Sequence, residues 1–131
     1  MTFQSQHISV SINRPADQVY EFSSKPENLP QWAAGLSGSI QNIHGDWIAT
    51  SPMGRVKVKF SPNNQYGVLD HEVTLPSGVT VYNPMRVFPN GDGSEVVFTV
   101  YRRPGMSGQQ FAEDAQAVAS DLHQLKRLLE I

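Results

Sequence analysis

Apolar side chains recur at alternating four- and three-residue steps near the end of the chain: Phe111, Ala115, Val118, Leu122, Leu125 and Leu129. That spacing places them on one face of a single amphipathic helix. Met106-Ser107-Gly108-Gln109-Gln110-Phe111 reads as its start. Ser107 and Gln110 have the spacing of a reciprocal capping box, and Met106 and Phe111 that of a hydrophobic staple. The pattern predicts one helix from residue 108 to about 130, on the order of 35 Å long. Upstream the period changes to two. Ile8, Val10 and Ile12 alternate with His7, Ser9, Ser11 and Asn13, the signature of a half-buried strand. Arg14-Pro15-Ala16-Asp17 starts a short helix, with Pro15 expected in its first turn and Val19 and Phe22 on its buried edge. Pro26 and Pro30 divide the following stretch into one-turn pieces anchored by Leu29, Trp32 and Leu36.

Strands are expected at about 38–43, 46–50, 55–60, 66–75, 79–89 and 94–103, separated by turn signals rich in Gly, Pro, Asn and Asp. Their even spacing implies a meander of antiparallel neighbours. Closing Pro76-Ser77-Gly78 as a three-residue loop sets Leu75 against Val79, Val73 against Val81, His71 against Asn83 and Leu69 against Met85. A loop at 90–93 carries the same face into Val96, Phe98 and Val100, and the Ser51–Gly54 turn aligns Trp47 and Ala49 with Val56 and Val58. Three turns thus agree on one apolar face, interrupted by the pair His71 and Asn83. Asp70 and Glu72 are expected on the other face, toward solvent, with Glu72 opposite Tyr82 and Asp70 diagonal to Arg86. A long helix with one apolar stripe, following such strands, packs that stripe across the sheet; a curved sheet then encloses a cavity.

At 131 residues the chain reads as a single domain, 1–131, long enough to bury a core. A net charge of −2 gives no electrostatic case for nucleic acid or an anionic membrane surface. The absence of cysteine excludes disulfides and thiolate chemistry. The histidines at 7, 44, 71 and 123 lack ligand spacing, so no metal site is expected. Asn90-Gly91-Asp92-Gly93 lies between strands and opens no helix, so it is a hairpin turn rather than a phosphate loop, and no cofactor is expected. No run approaches membrane-spanning length, and the N-terminus lacks a signal-peptide pattern; a cytoplasmic location is the expectation.

Ile8 to Phe22, followed by Asn28-Leu29-Pro30-Gln31-Trp32 and the C-terminal helix, resembles the START-like (SRPBCC) superfamily. Its members include polyketide cyclases and aromatases, lipid-transfer domains, pollen-allergen-type proteins and Hsp90-ATPase activators. Gly67 to Pro76 with Asn83-Pro84-Met85-Arg86 looks like a bacterial subgroup of its polyketide cyclase/dehydrase-like branch. The resemblance implies an α+β helix-grip fold. About seven antiparallel strands would form a curved sheet around the long C-terminal helix, with two short helices after the first strand. This fold hosts binders, carriers and enzymes without a shared catalytic set.

His71 is the sharpest candidate for chemistry: a desolvated imidazole is held neutral and can act as a base or orient a ligand. The alternative is that His71 and Asn83 satisfy each other as a buried pair. Trp32, Trp47, Met85, Phe98, Val118 and Leu122 complete the expected ligand-binding set. Ala115 and Ala119 leave space beneath the helix. The leading expectation is binding of a hydrophobic small molecule between sheet and helix, by a monomer or homodimer. The enzyme alternative is a cyclase, dehydratase or hydrolase with His71 as general acid/base. A partner-binding role of the Hsp90-activator type would need an exposed apolar patch away from the pocket.

Overall fold

The computed structural model describes residues 1–36 and 38–131. Strand β1 (Ser5–Ile12) leads into helix α1 (Ala16–Ser23). Pro15 stands one position earlier than expected, as the extended cap residue rather than inside the first turn. The α1 edge is Val19 and Ser23, both fully buried, while Phe22 is only half-buried. A 3-10 turn (Pro26–Asn28), the one-turn helix α2 (Leu29–Trp32) and a second 3-10 turn (Ala34–Leu36) follow. Prolines at 26 and 30 keep each piece short, and Leu29 and Trp32 pin the segment to the core.

Six strands come next: β2 (Ile40–Ile43), β3 (Asp46–Ser51), β4 (Gly54–Phe60), β5 (His71–Thr74), β6 (Thr80–Asn83) and β7 (Met85–Asn90). Strand β8 (Gly93–Tyr101) precedes the long helix α3 (Gly108–Leu129). The strands form a five-stranded sheet, β2-β3-β4-β5-β6, and a three-stranded sheet, β1-β8-β7. The strand expected at 79–89 therefore divides at Pro84, which has no N–H to donate, and the total is eight rather than about seven. The strand expected at 66–75 shortens to β5, but its register continues. Leu69 N–H donates to Met85 O at 2.8 Å and Val87 N–H to Gly67 O at 3.0 Å, so residues 67–69 join the two sheets along β7.

The inferred register holds throughout: His71 pairs with Asn83, Val73 with Val81, Val87 with Val96, Met85 with Phe98, Trp47 with Val58 and Ala49 with Val56. Helix α3 begins with the reciprocal capping box of Ser107 and Gln110 and packs against β1 and β8. Phe111, Ala115, Leu122 and Leu125 are buried, with Val118 and Leu129 half-buried on the same stripe. Arg55, Lys57 and Lys59 are exposed, while Val56 and Val58 between them are buried. Among the described residues no helix is long and apolar enough to cross a membrane. The fold is a helix-grip: curved antiparallel sheet, short helices at one end, and a long helix across the concave face.

Candidate functional site

A cavity of about 140 Å³ lies where three layers meet. The sheet contributes His71 and Val73 from β5, Asn83 from β6 and Phe98 from β8. The segment after α1 contributes Leu29, Trp32, Ala33, Gly35 and Leu36, and α3 contributes Val118, Asp121 and Leu122. The structure therefore brings together His71, Asn83, Trp32, Phe98, Val118 and Leu122 of the residues singled out in the sequence. Met85 is fully buried, and Trp47 is half-buried on β3; neither lines this cavity.

His71 is 7% exposed and sits between two phenylalanines. Its ring centroid is 4.8 Å from Phe60 and 5.6 Å from Phe98, the latter edge-on. Nδ1 lies 3.0 Å from the carbonyl oxygen of Leu69. A carbonyl only accepts, so Nδ1 carries the proton and Nε2 is left as an acceptor. Burial lowers the imidazole pKa below its ordinary value, against the opposing effects of the Leu69 hydrogen bond and the Asp70 charge; the ring is neutral at pH 7. His71 and Asn83 are cross-strand partners, yet His71 spends its hydrogen bond on its own strand rather than on Asn83. Asn83 is half-buried at the cavity wall.

Two further residues of the cavity wall carry polar groups. Asp121 accepts the backbone N–H of Ala34 at 3.1 Å through Oδ1. Burial raises its carboxyl to about 6 against the lowering effect of that bond. Trp32 is 3% exposed, and its indole N–H finds no protein acceptor among the described residues. Asp121 was absent from the residues singled out in the sequence, though its position carried a signal. It follows Val118 by three residues and precedes Leu125 by four, on the flank of the apolar stripe. Trp32 was singled out for its ring, and its unpaired N–H became visible only once burial was known.

Behind the cavity, Asp70 departs from expectation. It lies on the face opposite His71, as strand alternation requires, but it is 7% exposed rather than facing solvent like Glu72. Arg86 donates to it twice, from Nε at 2.9 Å and from NH2 at 2.8 Å. The Tyr82 hydroxyl donates at 2.6 Å and the Met85 backbone N–H at 2.8 Å. Burial alone would raise this carboxyl; the bonds from Arg86, Tyr82 and Met85 outweigh it and bring the pKa to about 2. Three of these four bonds come from β7, so Asp70 is a clasp across the Pro84 break.

A second, open groove of about 670 Å³ runs between the N-terminal residues Met1–Phe3, the edge strand β6 and the end of β8. Asn83 belongs to both spaces, and the groove walls include the exposed rings of Phe3, Tyr82 and Tyr101. Among the described residues no group of three His, Cys, Asp or Glu is placed to hold a metal ion.

Residues 5–130 match a family model described as polyketide cyclase / dehydrase and lipid transport. A comparison with curated proteins gives no match. Among solved structures, XoxI from Bacillus cereus superposes with a TM-score of 0.76 at 13% identity, covering 95% of this chain and 94% of that one. The Aha1 dimer from Colwellia psychrerythraea gives 0.74 at 15% identity, covering 98% and 97%. DynU16, a protein of the dynemicin biosynthetic locus, gives 0.73 at 15% identity; 96% of this chain is covered, but it spans only 47% of DynU16. At these identities the likeness is one of fold.

Proposed function

The chain belongs to the polyketide cyclase / dehydrase and lipid transport family, and from that premise we propose that it binds a hydrophobic small molecule in the cavity between the curved sheet and α3. The observation that carries this reading is the cavity wall: apolar side chains from three layers around a few placed polar groups. Burial of ligand surface against Leu29, Val73, Phe98 and Leu122 supplies affinity, and the polar groups set orientation. His71 suits orientation because its ring is locked by the Leu69 bond and the two phenylalanines, presenting one acceptor nitrogen. Thermal-shift and calorimetric screening of aromatic ketones, phenols and fatty acids, repeated with His71→Ala, tests this. A ligand bonded to the imidazole should weaken by about 1–3 kcal/mol in the variant, and a purely aliphatic one should hardly change. Absence of binding by any apolar compound would reject the proposal.

One observation favours a second reading, an enzyme of cyclase, dehydratase or hydrolase type. A neutral imidazole and a carboxyl with its pKa raised to about 6 line the same cavity. Such a pair can hold a base and an acid at once near neutral pH. Turnover of a bound compound that His71→Ala abolishes without loss of binding would establish it.

A further inference from the structure

We infer that the cavity and the groove are consecutive parts of one slot, and that it takes an elongated ligand of two apolar parts joined by a carbonyl linkage, with the linkage beside Asn83. This deepens the ligand-binding reading and rests on it. The walls come first. Asp114, Val118 and Asp121 follow one another at four- and three-residue steps, so they lie along one edge of α3. Asp114 lines the groove, and Val118 and Asp121 line the cavity. On the sheet side, Val81 and Asn83 stand two residues apart on the same face of β6. Val81 lines the groove, and Asn83 lines both spaces. One helix edge and one strand face therefore bound both spaces, in the same order along each. All five residues are half-buried, as the rims of an open slot are. The slot follows from the packing. Helix α3 lies against β1 and β8, and the space beside the edge strand β6 stays unfilled.

The junction then selects the chemistry. The Asn83 side-chain amide has no hydrogen-bond partner among the described residues, and neither of its polar atoms is shut off from water. His71, its cross-strand partner, bonds to Leu69 instead. A bare hydrocarbon crossing this point takes the amide out of water and leaves it unpaired, at the full desolvation penalty. A carbonyl oxygen at the same point accepts from the amide nitrogen. Apolar and aromatic side chains flank the junction on both sides: Leu29, Phe98 and Leu122 in the cavity, Phe3, Tyr82 and Tyr101 in the groove. The ligand that answers this wall has an apolar part at each end and an acceptor between them.

The probes are deoxybenzoin, a two-ring ketone; bibenzyl, the hydrocarbon of the same shape; and acetophenone, a one-ring ketone. Binding is read by NMR on protein with labelled valine and leucine methyls and labelled asparagine side chains. Val118 and Leu122 report on the cavity and Val81 on the groove. Deoxybenzoin should move both sets of methyls with one common Kd, as a single ligand spanning both spaces must. Acetophenone, which fills one part only, should bind about tenfold more weakly. The Asn83 side-chain N–H resonance should move downfield with deoxybenzoin and not with bibenzyl. In Asn83→Leu, which keeps the shape and removes the amide, deoxybenzoin should lose about tenfold in affinity and bibenzyl should not weaken. Comparing each probe with itself across the two proteins removes the difference in their hydration. If the variant does not fold, the Asn83 resonance in the wild-type protein decides the linkage. Movement of one methyl set alone by deoxybenzoin, two sets that saturate with different Kd values, or acetophenone binding as tightly as deoxybenzoin would overturn the single slot. Equal weakening of deoxybenzoin and bibenzyl in Asn83→Leu, or no downfield shift of Asn83, would overturn the carbonyl assignment. Failure of all three probes, with a compound from the screen moving the cavity methyls alone, would reject the inference and leave the ligand-binding reading standing. Failure of every apolar compound would reject both.

Discussion

Three ionisable side chains, Asp70 and His71 buried and Asp121 half-buried, give this protein a readable dependence on pH. Asp70 has its carboxyl at about 2 in the folded state, below its ordinary 3.8. The unfolded chain therefore takes up this proton first, and the stabilisation is present above pH 4 and lost as pH falls toward 2. Its magnitude is about 1–2 kcal/mol, because the half-exposed Arg86 lets solvent screen part of the interaction. Urea melts at pH 5, 3.5 and 2.5 should show the loss in the wild-type protein. Asp70→Asn should be less stable at pH 5 and flatter below pH 4; an unchanged slope would mean that Asp70 is not the titrating group. His71 and Asp121 act oppositely in the next window. His71 is depressed, so the unfolded chain binds a proton that the native state refuses, and stability falls as pH drops below 6.5. Asp121 is raised to about 6, so the native state binds its proton first, and stability rises as pH drops from 6 toward 4. The two contributions offset each other in the wild-type protein. Asp121→Asn removes one of them, and its melts between pH 6.5 and 4.5 should reveal the decline due to His71.

Elements are held by features of two kinds, and they differ in how far the sequence displays them. Helix α3 is locally written: its cap, staple and stripe all lie within 24 residues, from Met106 to Leu129. Leu122→Ala should cost about 2–5 kcal/mol, since Leu122 is 1% exposed at the centre of the stripe. Gln124 lies off the stripe, half-buried beside Gln31; Gln124→Ala loses that long hydrogen bond and should cost under about 1 kcal/mol, and denaturant melts in the reverse order would mean that the helix is rotated. Register was equally legible, because a one-residue slip would expose every apolar side chain of the concave face. What the pattern concealed lies where backbone meets backbone. Gly67 has φ +71°, and a Cβ there would stand 1.9 Å from the carbonyl oxygen of Val87. This close approach lets residues 67–69 bridge the two sheets, and it depends on a contact 20 positions along the chain. Gly67→Ala should cost at least about 2 kcal/mol through the left-handed backbone and the overlap together. A melt within about 0.5 kcal/mol of wild type, the scatter of neutral surface changes, would show that the junction can shift. Asp70 was concealed for the same reason: strand alternation gives its face, but only the break at Pro84 brings Arg86 and Tyr82 over it.

At the scale of the molecule, the cavity is what the architecture leaves open. The sheet curves, α3 crosses its concave face, and the segment of α2 with its flanking turns closes one end. That segment is tied to α3 by Ala34 N–H donating to Asp121 and, at 3.5 Å, by the Gln124 side-chain amide donating to Gln31 O. Element order, the apolar face and six of the twelve residues that line the cavity were readable from the sequence; the cavity's small volume and its carboxylate were not. These depend on how closely Trp32, Leu36 and Asp121 approach, which no local pattern encodes. The placement yields a prediction for the whole protein. Val118 is half-buried on the stripe and lines the cavity from the helix side. Val118→Phe fills that space from within, with helix-compatible backbone and no new polar group. Because the ring enters an existing void, the fold should survive at a cost below the roughly 1–3 kcal/mol of overpacking a filled core. Far-UV circular dichroism should confirm an unchanged helix and sheet content. Ligand at 100 times its Kd stabilises a native state by about 2.7 kcal/mol, or about 10 °C in Tm for a domain of this size. That shift should be present for a ligand found by the screen in the wild-type protein and absent in Val118→Phe. A full shift in the variant would place the ligand elsewhere and move attention to the groove beside Phe3 and Tyr82.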